Sequence, residues 1–277
     1  TKDIIDALPN LKLIVARSTG VDHIDNAYAA QKGISVCNVP KYGAHTVAEF
    51  AFALILALSR RIVEASNQVR EDGNFKTGAL EGFDLFGKTI GIIGTGAIGR
   101  SSVAIAQGFG MKVLMYDLFP NKSLESASAT YVSLPELLAG SDIVTLHAPY
   151  TPETKHIMNA DAFSKLKKGA IVINTARGEL VDTAALLEAI ENGTVAGAGL
   201  DVLEGERDLH DEMAILHKDG PADELKAVIR DHFLIDHPRV IITPHIAFFS
   251  REAYHEILDV SCSDIEAFAA GTPANTL

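Results

Sequence analysis

From Thr89 to Arg100 the chain reads TIGIIGTGAIGR. An apolar run here meets glycines at 94, 96 and 99, and a helix-forming stretch follows. A GxGxxG is weak alone, because glycine turns are common. Its context strengthens it: a strand before, a helix after, and a second strand ending at Asp117, eighteen residues beyond Gly99. In such a turn Gly94 permits the sharp bend. Gly96, lacking Cβ, lets a pyrophosphate approach the backbone, and Gly99 lets helix and strand pack closely. The amides of Gly94, Thr95, Gly96, Ala97, Ile98 and Gly99 open a helix whose positive end favours phosphate. Asp117 stands where a carboxylate accepts both hydroxyls of an adenine ribose and repels a 2′-phosphate, so the expected cofactor is NAD rather than NADP.

The pattern continues outward. Strands are expected at Lys112–Tyr116, Asp142–Leu146, Ala170–Asn174, Val195–Leu200 and Val240–Thr243. Helices are expected at Ala97–Phe109, Leu134–Leu138, Ala160–Leu166 and Thr183–Glu191. Short β-rich runs alternating with helices imply right-handed crossovers and a doubly wound parallel α/β sheet of Rossmann type. Before it lie short strands at residues 11–17 and Ile34–Cys37, then one long helix from Thr46 to Val69, opened by a Thr46/Glu49 capping box. A last helix is expected over Arg251–Ala270. The expected division is a nucleotide-binding domain over 70–247, with 1–69 and 248–277 forming a second, smaller domain.

Composition narrows the function. The 277 residues carry a formal net charge of −12, which disfavours nucleic acid and anionic membrane surfaces as partners. An acidic substrate then needs local positive charge at its site. The apolar run Val47–Leu58 is too short to span a bilayer and contains Glu49, so it reads as a buried helix, with a subunit contact as a further possibility. Two distant cysteines, Cys37 and Cys262, read as reduced, mostly buried thiols of a cytoplasmic protein. No metal-ligating set stands out.

Three polar residues follow expected strand ends, where open α/β sheets bind ligands: Arg177 in NTARG, Glu206 in DVLEGE and His245 in TPHIAF. Reduction of a keto acid by hydride transfer needs such a trio. Arginine matches a carboxylate and keeps its charge. Histidine, with a pKa near ~6.5, can protonate the new alkoxide. A neighbouring carboxylate favours the imidazolium and orients it. Spacing alone does not show that the three converge.

From Leu11 to about Ala267 the segments STGVDHID, NVPKYGAHTVAE, GIIGTGAIGR, HAPYTPETKHIMN, AIVINTARGELVD, GLDVLEGE and TPHIAF occur in order. On these the chain resembles the D-isomer-specific 2-hydroxyacid dehydrogenase family, with PKYG and the aromatic after PHIA similar to its D-lactate dehydrogenase branch. The resemblance implies that Arg177, Glu206 and His245 are catalytic. It implies that amides around Thr19 and Gly20 bind the substrate carboxylate and that Tyr42 and Phe248 line the pocket. His147, Pro149, Thr154, Thr175 and Ala176 would lie along the cofactor, and Asp201 near its nicotinamide amide. It also implies a homodimer, a small 2-keto or 2-hydroxy acid as substrate, and a flavodoxin-like substrate domain. That domain begins earlier in the family, so the second domain is expected to be N-terminally incomplete. The stretch 213–236 is longer than the family's usual link, and an extra helix is expected in it.

The leading expectation is therefore D-lactate/pyruvate chemistry. The alternatives are the same chemistry on glyoxylate, a branched keto acid, phosphoglycerate or formate, and an NAD-sensing corepressor-like binding protein. No basic cluster favours phosphoglycerate.

Overall fold

The computed structural model describes residues 2–204, 230 and 232–277. The expectations for Glu206 and for most of the 213–236 stretch lie outside them. The chain divides into two compact units, Val47–Ala247 and Thr1–Thr46 with Phe248–Leu277.

The larger unit is built on one seven-stranded sheet. Its strands are β3 (Thr89–Ile93), β4 (Lys112–Tyr116), β5 (Ala129–Tyr131), β6 (Ile143–Leu146), β7 (Ala170–Asn174), β8 (Val195–Leu200) and β9 (Val240–Ile242). Their order is β5-β4-β3-β6-β7-β8-β9, and every pairing is parallel. Chain order reverses between β3 and β6, the switch point of a doubly wound sheet.

Both faces are covered, because successive residues of a strand point to opposite sides. On β7, Ile171 and Ile173 face one core, with α3 (Ala44–Ser59) and α5 (Ala97–Gly108), while Val172 faces the other. That second core is filled by α6 (Leu134–Gly140), α7 (Ala160–Ser164) and α8 (Thr183–Glu191). Caps fix the helix starts. Ser133 and Glu136 form a reciprocal capping box on α6, and Asp182 accepts from Ala184 and Ala185 on α8.

The expected single helix over Thr46–Val69 is instead two, α3 and α4 (Ile62–Asp72). The Ser59 carbonyl accepts from the Phe83 amide at 2.9 Å, where an unbroken helix would use the amide of residue 63. Arg61 then turns left-handed at φ 50°. The expected Thr46/Glu49 box does not open α3, which begins at Ala44; the Thr46 hydroxyl lies 3.4 Å from that of Ser250. The expected unit boundary at residue 70 also differs. A Cβ on Gly199 would lie 3.0 Å from Leu54 Cβ of α3, so the helix packs directly on β8 and belongs with the sheet from Val47.

The smaller unit pairs β1 (Leu13–Val15) with β2 (Ser35–Cys37) in parallel. It adds α1 (Lys2–Ala7), α2 (Asn26–Gln31) and α9 (Arg251–Ala269). The tail returns beside β2, with Thr276 bridged antiparallel to Cys37. Ile5, Ala29, Ile34 and Val36 form its core. Both cysteines are free; Cys37 is buried as expected, whereas Cys262 is exposed. Among the described residues no helix is long and apolar enough to cross a membrane.

Leu137 of α6 is fully buried, and it fits because Gly91 beneath it has no side chain; a Cβ there would meet Leu137 Cδ2 at 2.4 Å. Leu137→Ala is expected to cost about 2–5 kcal/mol by leaving a void on the sheet. Urea unfolding measures it, and an unchanged midpoint would contradict this packing.

Candidate active site

Register sets the site. Ile93 pairs with Tyr116 and Leu146, Leu146 with Asn174, Asn174 with Leu200, and Leu200 with Ile242. The strands therefore end flush, and the next residues, Asp117, Gly94, His147, Thr175, Asp201 and Thr243, form a row along the C-terminal edge. Ladder bonds continue into that row. Gly94 N–H donates to Tyr116, His147 to Ile93, Asp201 to Asn174 and Thr243 to Leu200, at 2.7–3.0 Å.

At the switch point, Gly94 holds φ 91°, and a Cβ there would strike the backbone of His147 and Ala148. A Cβ on Gly99 would lie 2.0 Å from the Gly94 carbonyl. Gly96, the N-cap of α5, has nothing within 4 Å of a would-be Cβ and no side-chain cap, so open space faces the helix start beside Ala97 and Ile98. That is the cradle a pyrophosphate requires.

Asp117 reaches back to this loop. Its Oδ2 accepts from Thr95 N–H at 2.6 Å and from the Thr95 hydroxyl at 2.9 Å, and its Oδ1 from Phe119 N–H at 2.8 Å. Partial burial pushes its pKa up, but these bonds outweigh it and hold the carboxyl below its usual range. Tyr131 of β5, not foreseen from sequence, lies 2.8 Å from the Thr95 hydroxyl.

His147 is buried, with Nε2 2.9 Å from the Ser102 hydroxyl and 3.2 Å from that of Thr145. Desolvation lowers its pKa to about 4, so the ring is neutral near pH 7. Its Nδ1 and the Thr175 hydroxyl are buried and find no hydrogen-bond partner among the described residues, polar atoms with capacity for a bound group. Pro149 accepts from the Thr154 hydroxyl at 2.7 Å, which closes the turn after β6.

Arg177 is shaped by Asn174, a residue sequence reasoning passed over. Asn174 donates its side-chain amide to the Arg177 carbonyl at 2.8 Å and accepts from Ala176 N–H at 3.0 Å. The Arg177 guanidinium donates to the Ala176 carbonyl at 2.7 Å.

Asp201 organises the loop of His245. Its Oδ1 accepts from the Thr243 hydroxyl at 2.6 Å and Ile246 N–H at 2.9 Å, and its Oδ2 from Ala247 N–H at 2.8 Å. Its carbonyl accepts from His245 N–H at 2.9 Å, and His245 sits left-handed at φ 53°. Burial raises the Asp201 pKa, opposed by the Thr243, Ala247 and Ile246 bonds and by nearby His245.

In the smaller unit, all three carbonyls of Ser18–Gly20 are engaged. Ser18 accepts from Val39 N–H, Thr19 from the Asn38 side chain and Gly20 from the Ser18 hydroxyl. Tyr42 meets Phe248 edge-on at 6.3 Å. The contacts continue through Phe249 to Tyr254, over which Arg17 lies at 5.6 Å. Among the described residues no cluster could hold a metal ion.

A doubly wound parallel sheet with a glycine turn at its switch point and a carboxylate at the end of the neighbouring strand defines the class of dinucleotide-binding domains. Residues 52–247 match the model described as "D-isomer specific 2-hydroxyacid dehydrogenase, NAD binding domain". The chain belongs to the D-isomer-specific 2-hydroxyacid dehydrogenase family. It is 41% identical over 280 residues to a glycerate dehydrogenase of Methylorubrum extorquens, covering 99% of this chain and 81% of that protein. It is 37% identical over 264 residues to the D-lactate dehydrogenase of Escherichia coli K12, covering 94% and 77%. The solved D-lactate dehydrogenase of Aquifex aeolicus, complexed with NAD and lactic acid, superposes with a TM-score of 0.87 at 38% identity. That match covers 98% of this chain and 80% of the other.

A neutral buried histidine has a pH signature. With the folded pKa at about 4 and the unfolded near ~6.5, the stability tied to the neutral ring is fully present above ~6.5 and is lost as pH falls through about 4. His147→Gln is expected to flatten this acid loss. Denaturant unfolding from pH 7 to 4 measures it, and parallel curves for the two proteins would contradict a neutral ring.

Proposed function

We propose that this protein transfers a hydride between NAD(H) and a small D-2-hydroxy or 2-keto acid, with D-lactate and pyruvate the preferred pair. The observation that carries the proposal is the flush row of strand ends, with Arg177 and His245 in the loops after β7 and β9. The similarity to a D-lactate dehydrogenase holding NAD and lactic acid supports the substrate class.

NADH supplies the hydride when bound. The glycine loop from Gly94 to Gly99 is assigned its pyrophosphate and Asp117 its adenine ribose. His147, Pro149, Thr154, Thr175 and Ala176 are assigned to its flank, and Asp201 to the nicotinamide amide. Arg177 binds the substrate carboxylate and polarises the keto group, supplying the positive charge that a net −12 chain otherwise lacks. Thr19 and Gly20 are assigned the carboxylate, and Tyr42 and Phe248 the substrate's side chain. His245 donates the proton to the keto oxygen, and Glu206 keeps that imidazole protonated. The identity to a glycerate dehydrogenase favours a hydroxyl-bearing three-carbon acid as the second substrate reading.

We also assign a cytoplasmic homodimer. The two unpaired cysteines support the compartment. Exposed Phe86, beside Phe109 and a groove formed with Leu56 and Phe83, supports the pairing. Sedimentation should give twice 29.6 kDa, and a monomer mass at micromolar concentration retires the dimer.

Loss of NADH absorbance with pyruvate, glyoxylate, hydroxypyruvate and branched keto acids tests the reading, with pyruvate expected to turn over fastest. His245→Ala is expected to lower kcat by roughly 10²–10⁴ while NADH affinity changes little. Equal turnover in that variant removes His245 from the mechanism. An inert wild type that captures a protein partner only with NAD bound would favour the corepressor-like alternative.

A further inference from the structure

One polar pair near the sheet edge has no part in the assignments above. His156, in the loop after β6, places Nε2 2.6 Å from Glu204 Oε1. The other Glu204 oxygen accepts from the Thr183 hydroxyl, the first residue of α8, at 3.4 Å. Glu204 follows β8 and stands two residues before Glu206 in the chain.

The same three loops are joined through their backbones. His156 N–H donates to the Glu179 carbonyl at 2.9 Å and Met158 N–H to Leu180 at 3.1 Å, with Met158 and Val181 bridged in parallel. Gly178, directly after Arg177, lies against the Leu203–Glu204 peptide; a Cβ there would come within 2.0 Å of the Leu203 carbonyl. His156 itself is left-handed at φ 50°, a conformation that costs a non-glycine residue free energy and persists where surrounding contacts enforce it. Both side chains are about a third exposed, so the pair adds little stability as an ion pair. Its weight is geometric. It closes a ring through the loop after β6, the Arg177 loop after β7 and the segment leading from β8 towards Glu206.

We propose that His156 is a positioning residue, which through Glu204 sets the Arg177 loop and the Leu203–Glu204 segment after β8 in the relative placement that turnover requires. This rests on the dehydrogenase reading. The pair itself touches neither substrate nor cofactor in that reading, so its loss acts on the chemistry and not on cofactor binding.

The test is a double-mutant cycle. His156→Asn keeps a residue tolerant of the left-handed backbone but is too short to reach Glu204, and Glu204→Ala removes the acceptor. Each is expected to lower kcat with pyruvate by roughly tenfold, within the range that small misplacements produce, with NADH affinity unchanged. The double variant is expected to fall no further than either single. His156→Gln, whose amide reaches about as far as the ring Nε2, is expected to restore part of the loss. Rates are referred to active sites counted by NADH binding, so partial unfolding does not imitate the effect. Singles matching wild type, multiplying losses in the double variant, or an equal loss of NADH affinity overturns the proposal. A wild type that fails to oxidise NADH with any keto acid offered overturns the dehydrogenase reading first, and this inference with it.

Discussion

The site depends on strands that stop together. In a parallel sheet neighbouring strands lie roughly 4.8 Å apart, so one residue of register slip would displace a strand-end side chain by about 3.3 Å along the strand and turn it to the other face. The pairing from Tyr116 through Ile93, Leu146, Asn174 and Leu200 to Ile242 holds the ends level. What enforces it is burial on both faces. Ile171, Val172 and Ile173 are each buried, on alternating sides, so a slipped strand would drive side chains into the wrong core. The apolar middle of the sheet therefore positions its polar end.

Beyond the row, buried polar side chains take over as scaffolding. Asn174 accepts from the Ala176 amide and donates to the Arg177 carbonyl, and so shapes the turn that carries Arg177. Asp201 spends both carboxylate oxygens on the loop at 243–247. A buried carboxylate is costly unless hydrogen-bonded, and here one hydroxyl and two backbone amides donate to it. Each group satisfies the other, and the left-handed His245 backbone is held between them. The Asp201 clamp does not conflict with its assigned contact to the nicotinamide amide, because a carboxylate has about four lone-pair sites and three donors occupy this one.

Much of this was legible in the chain. Thr89–Ile93, Lys112–Tyr116, Ala170–Asn174, Thr183–Glu191 and Val195–Leu200 form where the apolar runs place them, bounded by glycines and by the Asp182 cap. Local signals sufficed because each element is delimited by its own neighbours. The break between α3 and α4 was not legible, since it depends on an amide at Phe83, more than twenty residues from Ser59. Strand β5 has only three residues, too few for a period to show. The roles of Asn174 and Thr243 were hidden for a different reason. Each sits inside a motif whose charged member drew attention, and only geometry reveals that Asn174 shapes the arginine loop and that Thr243 ties the histidine loop to Asp201.

Burial also places the charge. The row itself, Asp117, Gly94, His147, Thr175, Asp201 and Thr243, contains one group that could become a cation, and enclosure keeps His147 neutral. A proton there would put positive charge at the switch point, beside the glycine loop, where the amides at the start of α5 already provide a partial one. With that ring neutral, full positive charge enters through the loops beyond the row, at Arg177 and, once protonated, at His245. In the proposed chemistry, the positive charge that meets an acidic substrate on a chain of net charge −12 is therefore left to those loops.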